Sequence, residues 1–117
     1  MRLLIADDDP GLCRLIDRAL TRAGHAVTSV TDGRQAIAAL ATATFDAIIS
    51  DMGRPPDSRA GYTLLEAVRG SGDRTPYFIY AGSRDPAHVR EARSRGAQGS
   101  TNMGDELLQM LLQELNV

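Results

Sequence analysis

Two apolar runs in the chain end in acids. MRLLIADDDP places Asp7, Asp8 and Asp9 directly after Leu3 to Ala6, and FDAIISD ends a second run at Asp51. If both runs are neighbouring strands pointing the same way, Asp7, Asp8 and Asp51 converge at one edge of a sheet. Carboxylates gathered there repel one another unless a proton or a cation shares the site. A divalent metal is the simplest remedy. Magnesium takes hard oxygen ligands, keeps several waters, and commonly binds one or two carboxylates together with a substrate phosphate. With charge neutralised in this way, one of the carboxylates can attack phosphorus and become an aspartyl phosphate. The competing structural roles are a polar strand end and a helix cap. Asp9 followed by Pro10 fits the cap, because the carboxylate accepts from orphan backbone N–H groups and proline at the first helical position gives up an N–H without a partner. Asp51 taken alone is an ordinary loop aspartate, and its weight comes from the pairing.

The elements that position these acids follow from two alternating hydrophobic periods. Leu3 to Ala6 reads as a buried strand. Pro10 to Ala23 reads as a helix with Leu12, Leu15, Ile16, Ala19 and Leu20 on one face, stopped at Gly24. The second strand spans Ala26 to Thr31, and Asp32 with Gln35 forms a capping box for a helix reaching about Ala41. The third strand runs from Phe45 to Ser50 and ends at Asp51. A loop with Gly53, Pro55 and Pro56 precedes a helix from Tyr62 to Arg69, with Leu64, Leu65 and Val68 inward. Pro76 to Ala81 is the fourth strand, Asp85 and Pro86 open a helix ending near Gly96, and residues 97 to 101 are a weak fifth strand. The last helix, from about Asp105 to Leu115, offers Leu107, Leu108, Leu111, Leu112 and Leu115 to the core. Strands alternating with helices over short connections predict a parallel sheet covered on both faces, a doubly wound α/β sandwich. Ligands of such folds sit beyond the carboxyl ends of the strands. Asp7, Asp8 and Asp51 fall there.

Composition removes several alternatives. The 117 residues suit one domain, and every one of the 13 basic residues is arginine. A P-loop and Schiff-base catalysis both need lysine and are excluded. The net charge of −2 gives no general attraction to nucleic acid or anionic membrane. A lone Cys13 forms no internal disulfide, and no apolar stretch approaches the length of a membrane span, so a soluble cytoplasmic protein is expected. Arg84, Arg90, Arg93 and Arg95 with His88 make the fourth helix basic. Asp85 and Glu91 stand among them without interleaved aromatics, which favours a solvated or partner-facing surface over nucleic-acid binding. His25 and His88 lack carboxylates at ligand spacing.

In order and spacing the chain resembles a response-regulator receiver domain over essentially its whole length. LLIADDDP resembles the family's first strand with its acidic pair, FDAIISDMGRP its third strand and D-x-x-x-P turn, TPYFIYAGS its fourth strand, and RGAQGS the approach to its fifth. The resemblance implies a five-stranded (βα)5 flavodoxin-like fold, with residues 1–117 as a single receiver domain and no output domain. It implies Asp51 as the phosphoacceptor, and Mg2+ held by Asp7, Asp8, Asp51 and the backbone carbonyl of Gly53. It further implies a two-component phosphorelay role, with a histidine kinase or phosphotransfer protein as donor and a separate effector protein as reader. The domain would be a monomer or weak homodimer, contact neither nucleic acid nor membrane, and be no enzyme beyond assisting its own phosphotransfer and dephosphorylation.

The departures from the family are a longer turn after Pro55, spelled PDSRA before Gly61, and exchanged residues on the fourth and fifth strands. Ala81 stands where the family has a Ser or Thr, with Gly82, Ser83 and Arg84 following; Ser100 stands at the aromatic position and Met103 at the lysine. Ser83 is the nearest hydroxyl. Losing a charge-assisted bond of about 1.5–3 kcal/mol and a neutral one of about 1 kcal/mol weakens the phosphorylated state by a factor of about tens to thousands. Arg54 and Arg84 are the arginines placed to return part of that charge, since arginine grips phosphate bidentately. The alternative function is a degenerate, phosphorylation-independent receiver acting as a protein-interaction module. An aspartate-based phosphatase is disfavoured, because DDDPG is not its D-x-D motif and the lysine is missing.

Overall fold

Three short runs of aliphatic and aromatic residues build the middle of the sheet. The computed structural model describes residues 2–7, 17–52, 60–80 and 86–114. Strand β1 (Arg2–Ala6) is buried at every position after the first, β3 (Ala47–Asp51) at all of its positions, and β4 (Tyr77–Tyr80) at all but the last. Such continuous burial is the signature of a strand covered on both faces. At the edges lie β2 (Ala26–Val30), mostly exposed, and the short β5 (Gly99–Thr101). All pairings are parallel and the order is β2-β1-β3-β4-β5. The expected doubly wound sandwich is what forms.

Side-chain alternation divides the core between the faces. Leu4, Ala6, Ile48, Tyr77 and Ile79 pack with Ala36 of helix α2 (Gly33–Thr42), with Leu64, Leu65 and Val68 of α3 (Ala60–Gly70) and with Ala92 of α4 (Pro86–Ser94). Leu3, Ile5, Ala47, Ile49 and Phe78 pack on the other face with Leu20 of α1, described over residues 17–22, and with Leu107 and Leu111 of α5 (Gly104–Glu114). Each buried Leu or Ile contributes about 1.5–3 kcal/mol relative to exposure.

Several sequence-derived boundaries shift for identifiable reasons. Strand β3 starts at Ala47 rather than Phe45: Asp46 N–H still donates to the Arg2 carbonyl at 2.7 Å, but the Arg2 N–H donates to the Asp46 side chain at 2.7 Å, and the Arg2 guanidinium lies over the Phe45 ring at 5.5 Å. Helix α3 begins at Ala60, two residues before Tyr62. Leu112 is 39% exposed rather than core, because the leucines of α5 span a wider arc than the sheet covers. Leu115 lies outside the described residues. The capping box is displaced by one position. Gln35 N–H donates to Asp32 Oδ1 at 2.8 Å as expected, but the Gln35 side chain accepts from Thr31 N–H at 2.9 Å rather than from the cap itself. Gly24, at φ 92°, stops α1 as predicted; its conformation is one that side-chain-bearing residues rarely adopt.

Arg95 also departs from expectation. Rather than standing solvated with Arg90 and Arg93, it stacks on the Tyr62 ring at 4.4 Å and pairs with Glu91 at 3.0 Å and Glu66 at 3.7 Å, joining α4 to α3. Arg69 ties the far end of α3 to the approach to β5. Its guanidinium donates to the carbonyls of Asp73, Thr75 and Gly96 at 2.9–3.2 Å. Burial pushes its proton affinity down, and nearby Asp73 opposes that.

Candidate functional site

The carboxyl edge of the sheet brings Asp7 and Asp51 together. Asp7 follows β1 directly, and its N–H donates to the Val30 carbonyl at 3.0 Å, which extends the β1–β2 ladder by one bond. Asp51 is the last residue of β3. Ala6 is registered with Ser50, so the two aspartates stand side by side one step further on. Their parity matches Leu3 and Ile5 on β1 and Ala47 and Ile49 on β3, so both belong to the α1/α5 face. Asp7 is 6% exposed and Asp51 9%.

Two nearly buried carboxylates on adjacent strands supply only hard oxygen donors, which fits Mg2+ better than a softer metal. Among the described residues no set of three His, Cys, Asp or Glu side chains converges as a metal cluster. The third acid, Asp8, lies outside the described residues, as do Gly53, Arg54, Ala81, Gly82, Ser83 and Arg84.

The backbone at Asp51 is clamped. Ser50 Oγ donates to the Asp51 carbonyl at 2.8 Å, a buried contact. Gly61, in the first turn of α3, comes so close that a Cβ there would overlap the same carbonyl oxygen. Glycine is required at this approach. Its N–H donates to the Met52 carbonyl at 2.6 Å, and its own carbonyl accepts from the hydroxyl of Tyr77 at 2.8 Å. Tyr77 is fully buried on β4, so the first turn of α3 is held from both sides. These roles of Ser50, Gly61 and Tyr77 were not anticipated. The available signal was a glycine at the start of an apolar helix, where it weakens helix formation and therefore needs a packing reason.

Beyond Asp51 the edge changes character. Asp51 is registered with Tyr80 on β4, and Tyr80 with Thr101 on β5. Thr101 is fully buried, and its Oγ1 accepts from the Met103 N–H at 3.1 Å. The Met103 carbonyl accepts from Leu107 N–H at 3.0 Å, so Met103 marks the entry to α5, with its side chain 41% exposed. Ser100, expected at the aromatic position, is buried beside Ile79.

A doubly wound parallel sheet with paired acids at its carboxyl edge defines an α/β domain whose ligand is held at the strand ends. The family follows from comparison with known proteins. The sequence model of the response regulator receiver domain matches residues 3–102, and the chain belongs to that family. It is 39% identical over 92 residues to the response regulator protein PmrA of Pseudomonas aeruginosa, covering 79% of this chain and 40% of that protein. It is 42% identical over 55 residues to the transcriptional regulatory protein TcrA of Mycobacterium tuberculosis, covering 47% of this chain. Only 22% of the length of TcrA is spanned. Among solved structures, the chemotaxis response regulator CheY4 of Vibrio cholerae superposes with a TM-score of 0.84 at 28% identity, covering 97% of both chains. Receiver domains as a family accept a phosphoryl group on an aspartate, bind Mg2+ at that site, and interact with histidine kinases or phosphotransfer proteins and with effectors. No helix among the described residues is long and apolar enough to cross a membrane.

Proposed function

We propose that this domain accepts a phosphoryl group on Asp51 and signals through protein contacts. The observation that supports it most is the pairing of two nearly buried carboxylates, Asp7 and Asp51, at adjacent strand ends on one face. Asp7, Asp8, Asp51 and the Gly53 carbonyl would hold Mg2+, which when bound supplies charge neutralisation and a fixed point for phosphoryl oxygens. A carboxylate oxygen of Asp51 forms the new P–O bond as the bond from phosphorus to the donor breaks, its electron pair leaving with the donor. Ser50 and Gly61 keep the Asp51 backbone from recoiling. The donor is a histidine kinase or phosphotransfer protein, the reader a separate effector protein, and the setting the cytoplasm. Nucleic acid is not a direct partner, the domain acts as a monomer or weak homodimer, and it turns over no substrate of its own as an enzyme does.

A second reading has its own support. Met103 stands where the family has its lysine, Ala81 where it has the hydroxyl that meets the phosphoryl group and Ser100 where it has the aromatic that moves with that hydroxyl, and no lysine exists in the chain. That favours a phosphorylation-independent interaction module. Intact-mass spectrometry after incubation with Mg2+ and acetyl phosphate separates the two. The phosphoacceptor reading predicts a phosphoryl adduct that is lost with chelator and in Asp51→Asn. An unmodified parent chain, together with no binding of beryllofluoride, leaves the interaction module.

A further inference from the structure

Tyr80 is the next residue in the same row as the two acids. Register and parity place Asp7, Asp51, Tyr80 and Thr101 consecutively along the carboxyl edge, all on the α1/α5 face, as Phe78 and Gly99 two residues earlier confirm by packing there. Neighbouring strands lie about 4.8 Å apart, so Tyr80 is the neighbour of Asp51 along the row, on the side away from Asp7. It is half-buried and packs against the cluster to which α5 contributes Leu107 and Leu111. Tyr80 therefore stands between the acid row and the cluster that includes residues of the last helix.

Given the Asp51 reading, on which this rests, we infer that Tyr80 is the group that carries the state of Asp51 to α5. A phosphoryl group brings about two negative charges and three acceptor oxygens to the acid beside it. The positive edge of an aromatic ring and a phenolic O–H are both drawn to such an anion. No lysine is present to compete for it. Because the ring is only half-buried, it can change rotamer without opening the core. Moving toward the phosphoryl group withdraws it from the cluster to which Leu107 and Leu111 belong, and α5, with Met103 at its entry and the exposed Leu112, then settles against an altered surface.

Tyr62 and Tyr77 are buried, at 6% and 0% exposure, and the chain has no tryptophan, so Tyr80 is the tyrosine whose ring signal is free to respond. The test is NMR of the full chain titrated with Mg2+ and beryllofluoride, for the parent, Tyr80→Leu and Asp51→Asn. Expected are a shift of the Tyr80 ring resonances in the parent, together with shifts of the α5 amides that lose most of their amplitude in Tyr80→Leu. Tyr80→Phe should keep part of them, since the ring edge remains. Binding at Asp51 with an unmoved Tyr80 ring, or with α5 shifts as large in Tyr80→Leu as in the parent, overturns the inference alone. Absence of any beryllofluoride response in the parent removes the Asp51 reading and this inference with it.

Discussion

The carboxyl edge of the sheet has two unlike halves. On β1 and β3 it is acidic and tightly held: Asp7 continues a ladder bond to Val30, and Asp51 is clamped through Ser50 and Gly61. On β4 and β5 the same row continues as Tyr80 and Thr101, with the exposed Met103 just beyond. In the proposed function the first half binds a cation and presents a nucleophile. The second offers an aromatic ring and a hydroxyl where a basic group would meet the product. The difference separates two demands on such a site, forming the acyl phosphate and sensing it. Under the proposed function the groups for the first are retained, while Ala81, Ser100 and Met103 stand at the sequence positions expected to serve the second.

Substitutions that exchange or disturb one half test that separation. Met103→Lys returns an ammonium to the sensing half and is expected to tighten Mg2+-dependent beryllofluoride binding by about tenfold or more, as a charge-assisted bond of about 1.5–3 kcal/mol requires. Calorimetric titration beside the parent measures it, and unchanged affinity would show that the entry to α5 does not reach the site. Gly61→Ala attacks the acidic half. Its Cβ must displace the Asp51 carbonyl, costing about 1–3 kcal/mol of stability. Thermal unfolding reads that loss, and the rate of adduct formation should fall with it; full stability would mean that α3 moves aside freely. Tyr77→Phe removes only the hydroxyl that supports the Gly61 carbonyl and should cost about 1 kcal/mol in urea unfolding. A much larger loss would make Tyr77, rather than the backbone clamp, the main support of α3.

The strand-end places of Asp7 and Asp51, the strand and helix order and the glycine stop at Gly24 were legible in the sequence because they depend on local period and capping. What it concealed depends on tertiary approach. Phe45 has strand-like neighbours, yet it lies before β3 with its ring under the Arg2 guanidinium. Leu112 fits the apolar repeat of α5, but the sheet ends before covering it. Arg95 reads as one more surface arginine until Tyr62 is found beneath it. Most consequentially, Tyr80 carries no motif. Its place beside Asp51 follows only from the register of β3 against β4.

In the proposed function the acidic half works on its own residues, with Asp51 as the nucleophile. Its most direct test locates the phosphoryl group. After reaction with acetyl phosphate and Mg2+, borohydride reduction converts the phosphorylated aspartate to homoserine, and tandem mass spectrometry of the digest identifies the position. Homoserine at position 51 alone is the expected result. Homoserine at position 7 or 8, or none in a chain that remains folded, would contradict it.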